Sequence, residues 1–378
     1  MLFKKRYPEL DLLRASAIIL VLFRHFYDRV FQNLPDSAFK HFFAFGWHGV
    51  DLFFVLSGFL IGGQIIEEYQ SGAFSFKSFY IKRFFRIFPA YYSALVIVVV
   101  ATSITSGSFV LENGVLFRDF IYHLFYVQNY LNPDHLQGGI YWSLAIEEQF
   151  YLLAPFFIVL FLRRSGAALL RSLVILVSFE FILRFFIFNP SISWWASIGT
   201  PFHTRLDMLV FGVLAAYVFI RHKVRLERLS IWGRTLMLSS SALFIGLVYA
   251  YGKPAESLFN SVAQFTLAGL GFGMLILYLA VFPLNMGLPL RKASEAVAKY
   301  SYTIYLYHVL VLSVLFKPAM ELFKINTSSL TNFLLIFPLF FGAVFCISAG
   351  LYRLIEKPGM ELRKRLIERR RAPITSAS

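Results

Sequence analysis

The sequence predicts an all-α polytopic membrane protein of about ten transmembrane helices, each needing roughly 20 apolar residues, with both termini cytoplasmic. Composition is the first observation. Of 378 residues, 58% are hydrophobic and 15% charged, with a mean hydropathy of +0.65. Soluble domains run nearer half apolar and a quarter charged. The second is the length of the apolar runs, each about enough to cross ~30 Å of hydrocarbon. The third is the placement of Lys and Arg, which alternates from loop to loop.

In chain order the runs are Leu12–Tyr27, Val50–Ile66, Phe84–Thr105, Tyr141–Leu162, Leu169–Phe188, Arg205–Ile220, Leu229–Tyr251, Leu258–Val281, Tyr300–Phe316 and Leu330–Leu354. They are long and apolar on all faces, whereas strands of a closed barrel would be short and strictly alternating, so helices are predicted. Asp119–Tyr130 is apolar but too short to span, which fits a half-inserted or interfacial segment. Three cations precede the first run, and the loops around Lys77–Arg86, Arg163–Arg171, Arg221–Arg234 and Arg291–Lys299 hold four, three, five and three. Seven more lie from Lys357 to Arg371, which brings this side to 25 against six on the other. The positive-inside rule then makes the 25-cation side cytoplasmic. This organises the chain as a transmembrane domain over residues 1–356 and a basic cytoplasmic tail over 357–378, whose Ala372–Ser378 end reads as disordered.

The net charge of +15 is thus a topology signal, and nucleic acid is not a predicted partner. One cysteine, Cys346, excludes an intrachain disulfide and a cysteine metal site. No His/Glu spacing suits zinc. GLGFG at Gly269–Gly273 has no preceding strand and reads as helix packing. No signal-peptide pattern is seen, since the run after Lys4, Lys5 and Arg6 carries Asp11 and Arg14.

Ionisable residues inside spans are functional candidates. Arg14 and His25 are eleven residues apart, which returns a helix to within roughly 20° of the same face and separates them by roughly 16 Å along the axis. The alternative is a snorkelling Arg14 and a satisfied polar His25. Arg83 and Arg86 are helical neighbours beside Lys82, able to grip a polyphosphate or simply to meet anionic membrane lipids. Glu147 and Glu148 open an otherwise apolar helix, where the helix dipole alone would tolerate them. Ser301, Tyr302, Tyr305 and His308 cluster at the start of the ninth run, as an interfacial belt also would. Arg205 and Asp207 are a charged pair suited to partners on other helices.

Seven strings in order resemble the integral-membrane acyltransferase 3 family over nearly the whole chain. They are LDLLRASAIILVLFRH with Arg14 and His25, GVDLFFVLSGFLI at Gly49–Ile61, KRFFRIFP at Lys82–Pro89, WSLAIEEQFYLLAP at Trp142–Pro155, RLDMLVFGVL at Arg205–Leu214, SYTIYLYH at Ser301–His308 and EKP at Glu356–Pro358. The resemblance implies transfer of an acyl group, commonly acetyl, from cytoplasmic acyl-CoA to a hydroxyl of an envelope polysaccharide or lipid-linked glycan. It places the protein in the cell (inner or plasma) membrane, in the stand-alone form without a fused hydrolase-like domain. It maps the family's essential Arg and His onto Arg14 and His25, its RxxR pair onto Arg83 and Arg86, and its Glu onto Glu147 or Glu148. The donor is acetyl-CoA or another acyl-CoA, with no metal.

A sugar hydroxyl attacking a thioester needs a base, and neutral imidazole suits that task near pH 7. His25 is the candidate, with Glu147 or Glu148 orienting or stabilising it. Arg14, Ser57 and Tyr302 are candidate donors to the thioester oxygen, and Lys82, Arg83 and Arg86 candidate contacts to CoA phosphates. The competing reading is a proton-coupled transporter that uses the same Arg, His and Glu as a relay without CoA. A third is a structural or regulatory membrane protein.

The orientation is tested with single cysteines at Ser106 and Ser165 in a Cys346→Ser background. An impermeant thiol reagent on intact cells should label Ser106→Cys and not Ser165→Cys. Labelling at Ser165→Cys would invert the topology.

Overall fold

A computed structural model describes all residues except 1–2, 4–5, 36, 107–113, 131–138, 252–256 and 370–378. Lys4, Lys5, Lys253, the Ala372–Ser378 end and much of the Gly107–Gly139 loop therefore lie outside the described residues. Among the described residues there is no strand, and the helices are α1 (Pro8–Val30), α2 (Ala38–Phe45), α3 (His48–Gln70), α4 (Phe76–Ser106), α5 (Gly114–Leu124), α6 (Trp142–Arg164), α7 (Gly166–Ile187), α8 (Leu206–Glu227), α9 (Ile231–Tyr251), α10 (Gln264–Val281), α11 (Leu288–Val311), α12 (Lys317–Leu322), α13 (Leu330–Leu351) and α14 (Lys357–Arg369).

Each predicted apolar run forms the body of one helix. Among the described residues, eight continuous helical stretches are long and apolar enough to cross a membrane. The other two, α1 and α8, are 23 and 22 residues long but carry more charge, including Glu9, Asp11, Arg14, Arg24, Asp28 and Arg29 in α1. Several helices outrun the predicted spans. α4 starts at Phe76 and α11 at Leu288, so the basic stretches read as loops around Lys77–Arg86 and Arg291–Lys299 are helical. At the membrane edge a helix keeps its backbone hydrogen bonds while Lys and Arg reach water, so hydropathy falls before the helix ends. α5 is only 11 residues long. It lies against α4, where the Tyr91 and Tyr92 hydroxyls donate to the carbonyls of His123 and Leu124 at 3.1 and 2.8 Å.

α3 is the central helix, and small residues let its neighbours come close. A Cβ on Gly58 would lie 1.9 Å from the Leu209 carbonyl oxygen of α8, and one on Gly212 would lie 2.1 Å from that of Val55. At its other end α3 meets α1, with a Cβ on Gly49 falling 2.5 Å from the Ala17 carbonyl oxygen. Such backbone-to-backbone crossings supply close packing where lipid gives helices no hydrophobic reason to associate.

Charge pairs add a second fastening. Arg205 pairs with Asp51 of α3, both fully buried, and His48 Nδ1 lies 2.6 Å from Asp51 Oδ2. Arg184 of α7 donates to Asp207 Oδ2 and to Thr266 Oγ1, each at 2.7 Å. The Asp207 backbone N–H donates to Glu180 Oε2 at 2.8 Å. Arg205 and Asp207 thus find the partners on other helices that the sequence reading expected.

Gly58→Val should therefore destabilise the bundle by about 1–3 kcal/mol through overpacking. The check is thermal unfolding of purified protein in detergent, with Gly342→Ala as control because nothing lies within 4 Å of its added Cβ. Equal Tm for Gly58→Val and wild type would contradict the close crossing.

Candidate active site

Six helices contribute the polar side chains of one region. α1 carries Arg14, α3 carries Ser57 and Gln64, and α4 carries Lys82, Arg83 and Arg86. α6 brings Glu147, Glu148 and Tyr151, α11 brings Tyr302 and Tyr305, and α14 brings Arg363. The spacings account for this convergence. Ser57 and Gln64 are seven apart, Glu147 and Tyr151 four apart, and Ser301 and Tyr305 four apart, so each set shares a helix face.

These residues line a basic cavity of about 460 Å³. Of the residues predicted from sequence, Arg14, Ser57, Lys82, Arg83, Arg86, Glu147, Glu148 and Tyr302 all meet there. Five cations, Arg14, Lys82, Arg83, Arg86 and Arg363, face two carboxylates, so the lining favours an anionic ligand. Lys82 Nζ is 3.3 Å from Glu68 Oε1, and Arg86 Nη1 is 3.2 Å from Glu356 Oε2. Glu356 also accepts from the Thr303 hydroxyl, tying α4 to α11. The Arg83 guanidinium lies 5.8 Å from the Tyr151 ring centroid and 5.9 Å from that of Phe79. Its buried Nε has no hydrogen-bond partner among the described residues. Ser57 and Tyr151 share a hydrogen bond between their hydroxyls.

His25 stands apart from this group. It lines a second cavity of about 480 Å³ with Arg24, Asp28, Arg29, Trp47, Trp142, Ser193 and Trp195. Arg24 Nε pairs with Asp28 Oδ2 at 2.7 Å across one turn. The basic cavity lies toward the end of the bundle that holds Phe3, Met360 and Arg363, and the second is walled by connections at the other end, including Gly46, Gly139 and Ser193. Arg14 and His25, placed on one face of α1 by their spacing, therefore serve different cavities. The Glu pair lines the basic cavity, and neither carboxylate lines the cavity of His25.

Two side chains, Val50 and Tyr305, line both cavities and form the partition between them. The Tyr305 hydroxyl donates to the Ile140 carbonyl oxygen at 2.7 Å and lies 2.6 Å from Ser143 Oγ. These bonds hold the ring in place. Behind it, the His308 ring centroid is 5.1 Å from that of His25. His308 Nδ1 donates to the Tyr305 carbonyl oxygen at 2.8 Å, and its buried Nε2 is without a partner among the described residues.

Sequence reasoning quoted Tyr305 and His308 but gave them no role at the site, although helical spacing put Tyr305 one turn from Ser301. It missed Tyr151, whose signal was its place one turn after Glu147. Arg363 gave no signal, because only the fold brings the tail helix beneath the bundle. Among the described residues no group of three or more metal-binding side chains comes together.

Comparison with known proteins adds a separate line of support. Residues 7–353 match the family described as "Acyltransferase domain". The peptidoglycan O-acetyltransferase OatA of Listeria monocytogenes is 37% identical over 172 residues, covering 42% of this chain and 25% of that protein. The O-acetyltransferase OatA of Staphylococcus aureus strain NCTC 8325 is 28% identical over 330 residues, covering 81% of this chain and 51% of that protein. The chain spans about half the length of the curated relatives that it matches over most of its own length. No solved structure matches.

Proposed function

Because the chain belongs to the acyltransferase-domain family, we propose that it moves an acyl group, acetyl above all, from cytoplasmic acyl-CoA to a hydroxyl of a cell-envelope glycan or glycolipid. The proposed setting is the cell membrane, with residues 1–356 as the transferase domain and 357–378 as a cytoplasmic tail. The Listeria relative is named for peptidoglycan, and an envelope glycan as acceptor follows from that likeness. Family membership also weighs against the proton-coupled transporter.

The observation that carries the reading is the pair of cavities. One is basic and gathers Lys82, Arg83 and Arg86, the other holds His25, and Val50 and Tyr305 divide them. In the proposed reaction CoA phosphates meet Arg83, Arg86 and Lys82, since guanidinium forks bind phosphate oxygens in pairs. The thioester reaches the partition from that side, and the acceptor hydroxyl comes to His25 from the other. His25 takes the hydroxyl proton as the oxygen attacks the thioester carbon. A C–O bond forms, the C–S bond breaks, and the proton passes on to the departing CoA sulfur. Arg14, Ser57 and Tyr302 are the donors proposed for the developing oxyanion. Glu147 and Glu148 would act from the donor side, by holding Arg14 and Arg83 in register.

His25→Ala should lower kcat on the order of 10²–10⁴-fold, the contribution of a general base, with acyl-CoA binding intact. Arg14→Ala should also abolish transfer while the protein inserts normally. Mass spectrometry of envelope glycans and transfer assays in membranes measure both. Near-normal acetylation by His25→Ala would remove the base assignment.

Arg83→Ala combined with Arg86→Ala should raise the KM for acyl-CoA roughly tenfold or more, as expected for lost charge-assisted bonds. The KM for acceptor should stay close to wild type. Unchanged CoA affinity would return both arginines to lipid contact.

A further inference from the structure

A third cavity, about 610 Å³, adjoins the basic cavity, and Arg14, Leu60 and Arg86 line both. Its remaining charged wall comes from the N-terminal segment, the first turn of α1 and the first half of α11: Arg6, Asp11, Lys292, Glu295 and Lys299. Five cations thus face two carboxylates. Both carboxylates are already engaged. Arg6 Nε is 2.6 Å from Asp11 Oδ2 and Arg6 Nη1 is 3.9 Å from Glu295 Oε2, while Arg291 Nε is 3.0 Å from Glu295 Oε1. Among the described residues neither Lys292 nor Lys299 has a carboxylate partner. Lys299 Nζ instead lies 5.0 and 5.2 Å from the ring centroids of Tyr300 and Tyr352.

Acyl-CoA has the shape this pair of cavities asks for. Its acyl-pantetheine arm is thin and uncharged, and its nucleotide end is bulky, with a diphosphate and a 3′-phosphate. A phosphate monoester alone carries about −1.5 to −2 near pH 7. The arm can pass the neck at Arg14, Leu60 and Arg86, whereas the nucleotide matches the surplus of positive charge outside it. The half-buried Tyr7 ring, which also lines this cavity, offers a face for the purine.

We infer that this vestibule binds the nucleotide end of acyl-CoA, with Lys292 and Lys299 holding its 3′-phosphate. The inference rests on acyl-CoA being the donor. It divides the phosphates between two sets of cations, the diphosphate falling to Arg86 at the neck with Arg83 and Lys82 just inside it. Anionic lipid headgroups present the same phosphate chemistry, so the test separates the two sources.

The experiment uses purified protein in phosphatidylcholine nanodiscs, wild type and the double variant Lys292→Gln, Lys299→Gln. Binding is measured for acetyl-CoA, 3′-dephospho-acetyl-CoA and acetyl-pantetheine. The variant should bind acetyl-CoA roughly tenfold more weakly or worse, as a lost charged contact implies. It should bind the 3′-dephospho compound and acetyl-pantetheine as wild type does. Equal acetyl-CoA affinity in the two proteins, or equal weakening of all three donors, overturns the inference. So does a variant that keeps its acetyl-CoA affinity and loses only a preference for phosphatidylglycerol nanodiscs, since the patch is then a lipid contact. A wild type that binds neither acetyl-CoA nor acetyl-pantetheine removes the donor itself, and the vestibule assignment with it.

Discussion

The buried pair between Asp51 and Arg205 is the contact on which the site geometry depends. Within hydrocarbon an unpaired charge costs several kcal/mol, so each of these residues commits its helix to the other. The Arg205 guanidinium is also enclosed by rings, with its Cζ 3.8 Å from the Phe265 centroid and 5.5 Å from that of Trp142. That packing brings the start of α6 to the same point. Val50 precedes Asp51, Ser57 follows it by under two turns, and Ser143 follows Trp142. The partition and the adjoining wall of the basic cavity are therefore held from a single charge pair.

The glycine crossings do the complementary work along the rest of α3. Backbone contact at Gly49 and Gly58 fixes how near α1 and α8 approach, and so fixes the width of the space between them. Glu356 performs a similar task at the other end. It joins Arg86 of α4 to Thr303 of α11 from the turn that precedes α14, which gives the terminal EKP string a physical role as a three-way tether. Polar residues in this bundle thus sort into those that clamp helices and those that line space.

Much of this was legible in the sequence. Long apolar runs locate helices because hydrocarbon leaves the backbone no other way to satisfy its hydrogen bonds. Charges inside such runs are too costly to be idle, so Arg14, His25 and the Glu pair stood out before any coordinates, while Arg83 and Arg86 stood out by their helical spacing in the basic stretch at the edge of a run. What stayed hidden depends on three dimensions. The spacing of Arg14 and His25 gives a shared face but carries no information about a wall between them, because that wall comes from Val50 on α3 and Tyr305 on α11. Val50 has no chemical signature at all. The basic stretch from Arg291 to Lys299 reads as a loop by hydropathy, and only its helical course turns Lys292 and Lys299 toward a common cavity.

The partition has a further consequence for what can move between the two cavities. Two roomy cavities, each lined in part by charged side chains and entering one bundle from opposite ends, would form a continuous channel if they met. A stiff β-branched Val50 and a hydrogen-bonded Tyr305 keep them apart. The wall is one or two side chains thick, so a rotation of one ring or one isopropyl group is the scale of movement that would join the two spaces.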